Sequence, residues 1–160
     1  MRRRGFLTGA LAALAAGCAG RSPGGETRSP AGTPSSTESP PALVDSHLRV
    51  LESGCGKQVD EASVSFDPDA PAVGVEGTIW GSDTCHTARL ADATYAPDAD
   101  RLTVRVVSVR PETTETPVCG QCIVEIEYAA TCSFSGGLPG TVRVVHGTGE
   151  RERVVATAER

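Results

Sequence analysis

Apolar and polar residues alternate along most of the chain beyond residue 42. Leu48 and Val50 have polar neighbours, as do Ala62, Val64 and Phe66, and then Val73, Val75 and Ile79. Leu102, Val104 and Val106 are interleaved with Arg101, Thr103 and Arg105. The longest run is Val124, Ile126, Tyr128, Ala130, Cys132 and Phe134, with Glu125 and Glu127 on the opposite phase, and Val142 and Val144 follow. A period of two sends successive side chains to opposite faces, which is the pattern of half-buried strands. Residues 86–95 change phase near Asp92, which predicts a bulge. No stretch carries a helical stripe.

Turn chemistry separates these runs: Asp67-Pro68-Asp69, Gly81-Ser82-Asp83, Ala96-Pro97-Asp98-Ala99-Asp100 and Gly136-Gly137-Leu138-Pro139-Gly140. Asp67 and Asp69 read as a turn in preference to a carboxylate pair or a calcium site. The expectation is an all-β domain over residues 42–160, a small antiparallel sandwich or barrel of about seven or eight strands. Its aromatic content is low, with three Phe, two Tyr and one Trp in the whole chain. Crosslinks would therefore help a core of this size.

The chain before residue 42 has a different texture. Residues 19–41 are almost all Gly, Ser, Thr, Pro, Ala and Glu and contain no Val, Ile, Leu or aromatic residue. Such a segment cannot bury enough surface to fold, so it reads as a disordered tether with a mean reach of about 25–30 Å. Ahead of it, Arg2, Arg3 and Arg4 precede Gly5-Phe6-Leu7, an apolar stretch to Ala16, and Gly17-Cys18. The apolar stretch, about eleven residues, is too short to span a bilayer as a helix. A basic start, a short apolar middle and small residues before a cleavage point make a secretory signal. The division expected is a signal over 1–17, a lipid anchor and tether over 18–41, and the β domain over 42–160.

Arg3-Arg4 followed by Phe6-Leu7 resembles the twin-arginine export signal. Leu14-Ala15-Ala16-Gly17-Cys18 resembles a lipobox, which implies cleavage before Cys18 and lipid on its thiol. The departures are Thr8, where Lys is commoner, and Ala15, where Leu is commoner. Removing residues 1–17 takes away three arginines and no acids, leaving 12 basic and 20 acidic residues, a net charge of −8. Lys57 is the only lysine and asparagine is absent, so N-linked sugar has no acceptor. An acidic, lysine-poor surface suits high salt, where self-repulsion is screened. It argues against nucleic acid as a partner. Signal and composition together are similar to the exported lipoproteins of halophilic archaea. That resemblance implies an extracytoplasmic, cell-surface protein held to the membrane through Cys18, and it implies no mechanism.

Five cysteines remain beyond Cys18, and outside the cell disulfides are their expected state. If the strands run alternately up and down, Cys55, Cys85, Cys119 and Cys122 all fall at one end of the domain. Cys132 lies in the inward phase of its strand, apart from them, and reads as a free buried thiol. Two disulfides joining Cys55 and Cys85 to Cys119 and Cys122 are the first reading. A bond within Cys119–Cys122 is disfavoured, because an extended strand separates such residues by roughly 10 Å. A metal site on Cys85, His86, Cys119 and Cys122, with His146 as a further ligand, is the alternative. So is a redox role for the Cys119-Gly120-Gln121-Cys122 motif, although no helix N-terminus follows it to lower a thiol pKa.

No catalytic motif is present: no HExxH, GxSxG, P-loop or dinucleotide fingerprint. No cofactor is implied. Trp80, beside Gly81 at the cysteine end, is either an exposed binding aromatic or a residue packed under the loops. The sequence therefore points to a lipid-anchored envelope module with a structural or binding role, its partner an envelope protein or glycan. The competing reading is a thiol–disulfide or metal-handling protein built on Cys119 and Cys122.

Overall fold

A computed structural model describes residues 39–112, 118–147 and 149–160. Arg3, Arg4, Phe6, Leu7, Cys18 and most of the expected tether lie outside the described residues. Eight strands are formed: β1 (Ala42–Cys55), β2 (Glu61–Asp67), β3 (Ala72–Gly81), β4 (Thr87–Ala96), β5 (Arg101–Val109), β6 (Val124–Ser135), β7 (Thr141–His146) and β8 (Arg153–Glu159). They make two four-stranded sheets, ordered β1-β6-β3-β2 and β4-β5-β7-β8. The sheets pack face to face as a sandwich, with β1 lying against β4 and β2 against β8.

The core follows from the alternation. β6 sits between β1 and β3, and Val124, Ile126, Tyr128, Ala130, Cys132 and Phe134 are all buried. Facing them are Leu102, Val104 and Val106 of β5 and Val142 and Val144 of β7. Each fully buried Val, Leu or Ile of this set contributes about 1.5–3 kcal/mol. Tyr128 is paired across the ladder with Gly77, and a Cβ on Gly77 would stand 2.6 Å from the Tyr128 hydroxyl. Glycine there makes room for the phenol.

Three features depart from simple alternation. β1 starts at Ala42, earlier than the period implies, because bulges between Leu43 and Asp45 and between Val50 and Glu52 shift its phase. β4 carries its bulge between Leu90 and Asp92, at the predicted phase change. β5 and β7 run parallel, so the sandwich is not wholly antiparallel as the sequence suggested. β7 arrives beside β5 only after β6 has crossed to the other sheet and back. Even so, successive strands reverse direction throughout. The Asp67 turn is an Asx turn, in which Oδ1 accepts the Asp69 and Ala70 amides at 3.0 and 3.1 Å.

Candidate functional site

Reversal of direction at each strand brings Cys55, Cys85, Cys119 and Cys122 to one end. Cys55 is bonded to Cys122 and Cys85 to Cys119, with Cα separations of 5.7 and 5.4 Å. The 119–122 segment is thus stapled on one side to the end of β1 and on the other to the β3–β4 loop. Backbone bonds reinforce both staples: Gly56 N–H donates to Ile123 O at 2.9 Å, and Thr84 N–H to Gly120 O at 3.1 Å. Asp83 organises the β3–β4 loop, accepting from the Cys85 amide, from His86 Nδ1 and from Arg110. Partial burial pushes its carboxyl up, and those donors outweigh it and bring it down to about 2.

The alternative ligand set is spent in this arrangement. The Asp83 carboxylate and the sulfurs of Cys85 and Cys119 lie within 4.8 Å of one another, but the two sulfurs are bonded together. Cys119 and Cys122 belong to different disulfides and form no pair with each other. Cys132 is free and buried, far along β6, and burial with the nearby Asp45 charge pushes its thiol up to about 11. A thiol in that state is a small hydrophobe with little reactivity.

At the same end a polar chain enters the core. Tyr128 Oη lies 2.8 Å from His146 Nε2, His146 Nδ1 lies 2.9 Å from Asp60 Oδ1, and Trp80 Nε1 donates to Asp60 Oδ2 at 3.0 Å. A carboxylate only accepts, so Nδ1 carries the ring proton and Nε2 accepts from the phenol. Burial lowers the His146 pKa, against an opposing pull from Asp60. Burial also drives the Tyr128 pKa upward. With Tyr128 at 0% exposure, no substrate reaches its oxygen. The chain orients side chains and satisfies buried polar groups; it is not a nucleophile and base poised on a substrate.

Above this chain lies a hollow of about 520 Å³, within the usual range of ligand pockets. It opens where β7 stops. The β5–β7 ladder ends at Val106 opposite His146, while β5 continues to Val109. Val107, Ser108 and Val109 form one wall, Ile79, Trp80 and Asp60 another, and Arg89, Arg151 and Arg153 reach it from β4 and from the turn into β8. Among the described residues none of those three arginines forms an ion pair. Arg105 differs, reaching Asp92 at 3.7 Å and Glu152 at 2.7 Å. Among the described residues the single acidic one on the hollow, Asp60, already has both oxygens engaged. Its two donors are a neutral imidazole and an indole, so its charge remains, and three guanidinium groups face one carboxylate on this surface in a chain whose net charge is −5.

Trp80 resolves both of its expected roles: it is half-buried, bonded to Asp60, and still lines the hollow. His86 is held by Asp83, and His146 by Tyr128 and Asp60. Sequence reading missed Asp60 and the three arginines. They come from three separate segments, Asp60 before β2, Arg89 in β4, and Arg151 and Arg153 around the start of β8, and no local spacing marks their convergence. No family model matches the chain, and no curated protein or solved structure matches it.

Proposed function

We propose that the chain is a lipid-anchored, extracytoplasmic β-sandwich that carries a binding site away from the membrane. The observation that supports this reading is the opposition of its two ends. The chain enters the domain at Ser39–Pro41, whose carbonyls at Ser39 and Pro40 lie against Gly136 in the β6–β7 turn. β1 then runs the length of its sheet to Cys55, so the disulfides and the hollow lie at the far end. A site so placed faces outward when the tether is fixed at Cys18. The stapled loops hold its walls, and preorganised walls lower the ordering cost of binding.

Two measurements test this. Cys18→Ser is expected to move the protein from the membrane fraction to the medium with both disulfides intact, and retention in the membrane rejects the anchor. The released protein has one tryptophan, Trp80, on the hollow. Its emission is expected to shift saturably with an acidic peptide or an acidic glycan. No response to either class rejects the binding role.

A further inference from the structure

The geometry points to an extended acidic peptide as the ligand of the hollow, added beside the last residues of β5 in the lane that β7 vacates. This rests on the binding role proposed above and names its ligand class. The first ground is charge. Arg89, Arg151 and Arg153 converge on the hollow without an ion pair among the described residues, and Asp60 is fully occupied. Guanidinium groups in that state match carboxylates, which they bind through two parallel hydrogen bonds.

The second ground is the backbone. Gly147 N–H donates to Val106 O at 3.0 Å, which fixes the Val106 carbonyl on the β7 side of β5. Backbone groups alternate along a strand, so Ser108, two residues on, presents its N–H and C=O to the same side. Among the described residues neither group is bonded to the segment that follows β7: the ladder ends at His146, and Gly147 leaves the strand at a φ of +87°. Ser108 Oγ is also buried, with no hydrogen-bond partner among the described residues. Buried polar groups are seldom left unpaired, and an open stretch of strand is a template for another strand.

The third ground is the pair of faces at that lane. Val107, Val109 and Ala91 line one side, and Ile79 and Trp80 the other. An added strand sends alternate side chains to opposite faces, so apolar residues can meet these walls while acidic ones reach the arginines. Main-chain bonds to Ser108 with side-chain pockets on either hand are the recognition mode of strand addition. A compact anion such as a dicarboxylate would use the arginines and leave Ser108 unmet.

The experiment titrates full-length Cys18→Ser protein with a blocked peptide of sequence EVTVE, following Trp80 emission and heat. Versions of the peptide carry N-methyl groups at odd or at even positions. Strand addition expects one methylation phase to weaken binding about tenfold or more and the other to be tolerated. Replacing the arginines together (R89Q, R151Q and R153Q) is expected to weaken it at least as much, with the disulfide map and melting profile unchanged. Equal affinity for both methylation phases, or binding of glutarate or polygalacturonate as tight as the peptide, overturns the peptide assignment and leaves the binding role standing. Silence of peptide, dicarboxylate and glycan alike removes both.

Discussion

His146 carries an imidazole into the core between Tyr128 and Asp60, and its burial disfavours the charged ring. Its folded pKa is below the ordinary 6.5, so the unfolded chain takes up a proton first as pH falls. Stability is then complete above about 6.5 and declines as pH drops from there toward the folded value. Urea unfolding between pH 5 and 8 is expected to show that decline. His146→Gln should remove the decline and cost about 1–3 kcal/mol at neutral pH, since Tyr128 and Asp60 lose their shared partner. Cys132 offers a contrast. Cys132→Ala is expected to cost only about 1–2 kcal/mol as a small core truncation, and the native thiol should resist labelling until the domain unfolds. Cys132 could be placed from sequence because its environment is a property of its own strand's phase. The partners of His146 could not, since Asp60 lies 86 positions away in the chain.

Elements were legible to the extent that their period was unbroken. β6 alternates without interruption and its inward face is the buried one. In β1 the extra residues Val44 and Leu51 at the bulges break the count, so the strand's first residues were hidden and both side chains stand exposed. β8 was hidden for a related reason: the ladder shifts between Val144 and Val145, leaving consecutive Val154 and Val155 on no single phase. The parallel β5–β7 pair was beyond local reading, because it joins strands separated by an excursion through the other sheet. Cysteine clustering survived these errors because it needs only the direction of each strand, not its neighbour. The two bonds span 67 and 34 residues. Removing either is expected to cost about 2–5 kcal/mol in chemical unfolding. The twofold longer span gives Cys55–Cys122 about 0.6 kcal/mol more in the chain-entropy account. Equal or reversed losses for the two paired deletions would show that native contacts outweigh loop closure.

For the whole molecule, the export prediction is independent of the fold. Replacing Arg3 and Arg4 together with Lys is expected to stop secretion, because twin-arginine recognition reads the guanidinium pair and a lysine pair keeps only the charge. Fractionation decides it, and normal export of the double variant assigns the general secretory route. The end-to-end run of β1 has a mechanical consequence. A pull on the chain ahead of β1 reaches the domain next to Ala42 and unzips β1 from β6 one pair at a time, starting at Ala42 opposite Ser135. Peeling stops at Cys55, where the bond to Cys122 passes the load into β6. The 14 residues of β1 supply about 45–50 Å of slack when drawn straight. The strand is a shock absorber with a covalent stop, and in a single-molecule stretch the first rupture is expected to release no more chain than those 14 residues; with the bond reduced, the load runs on into β2 and more chain is released.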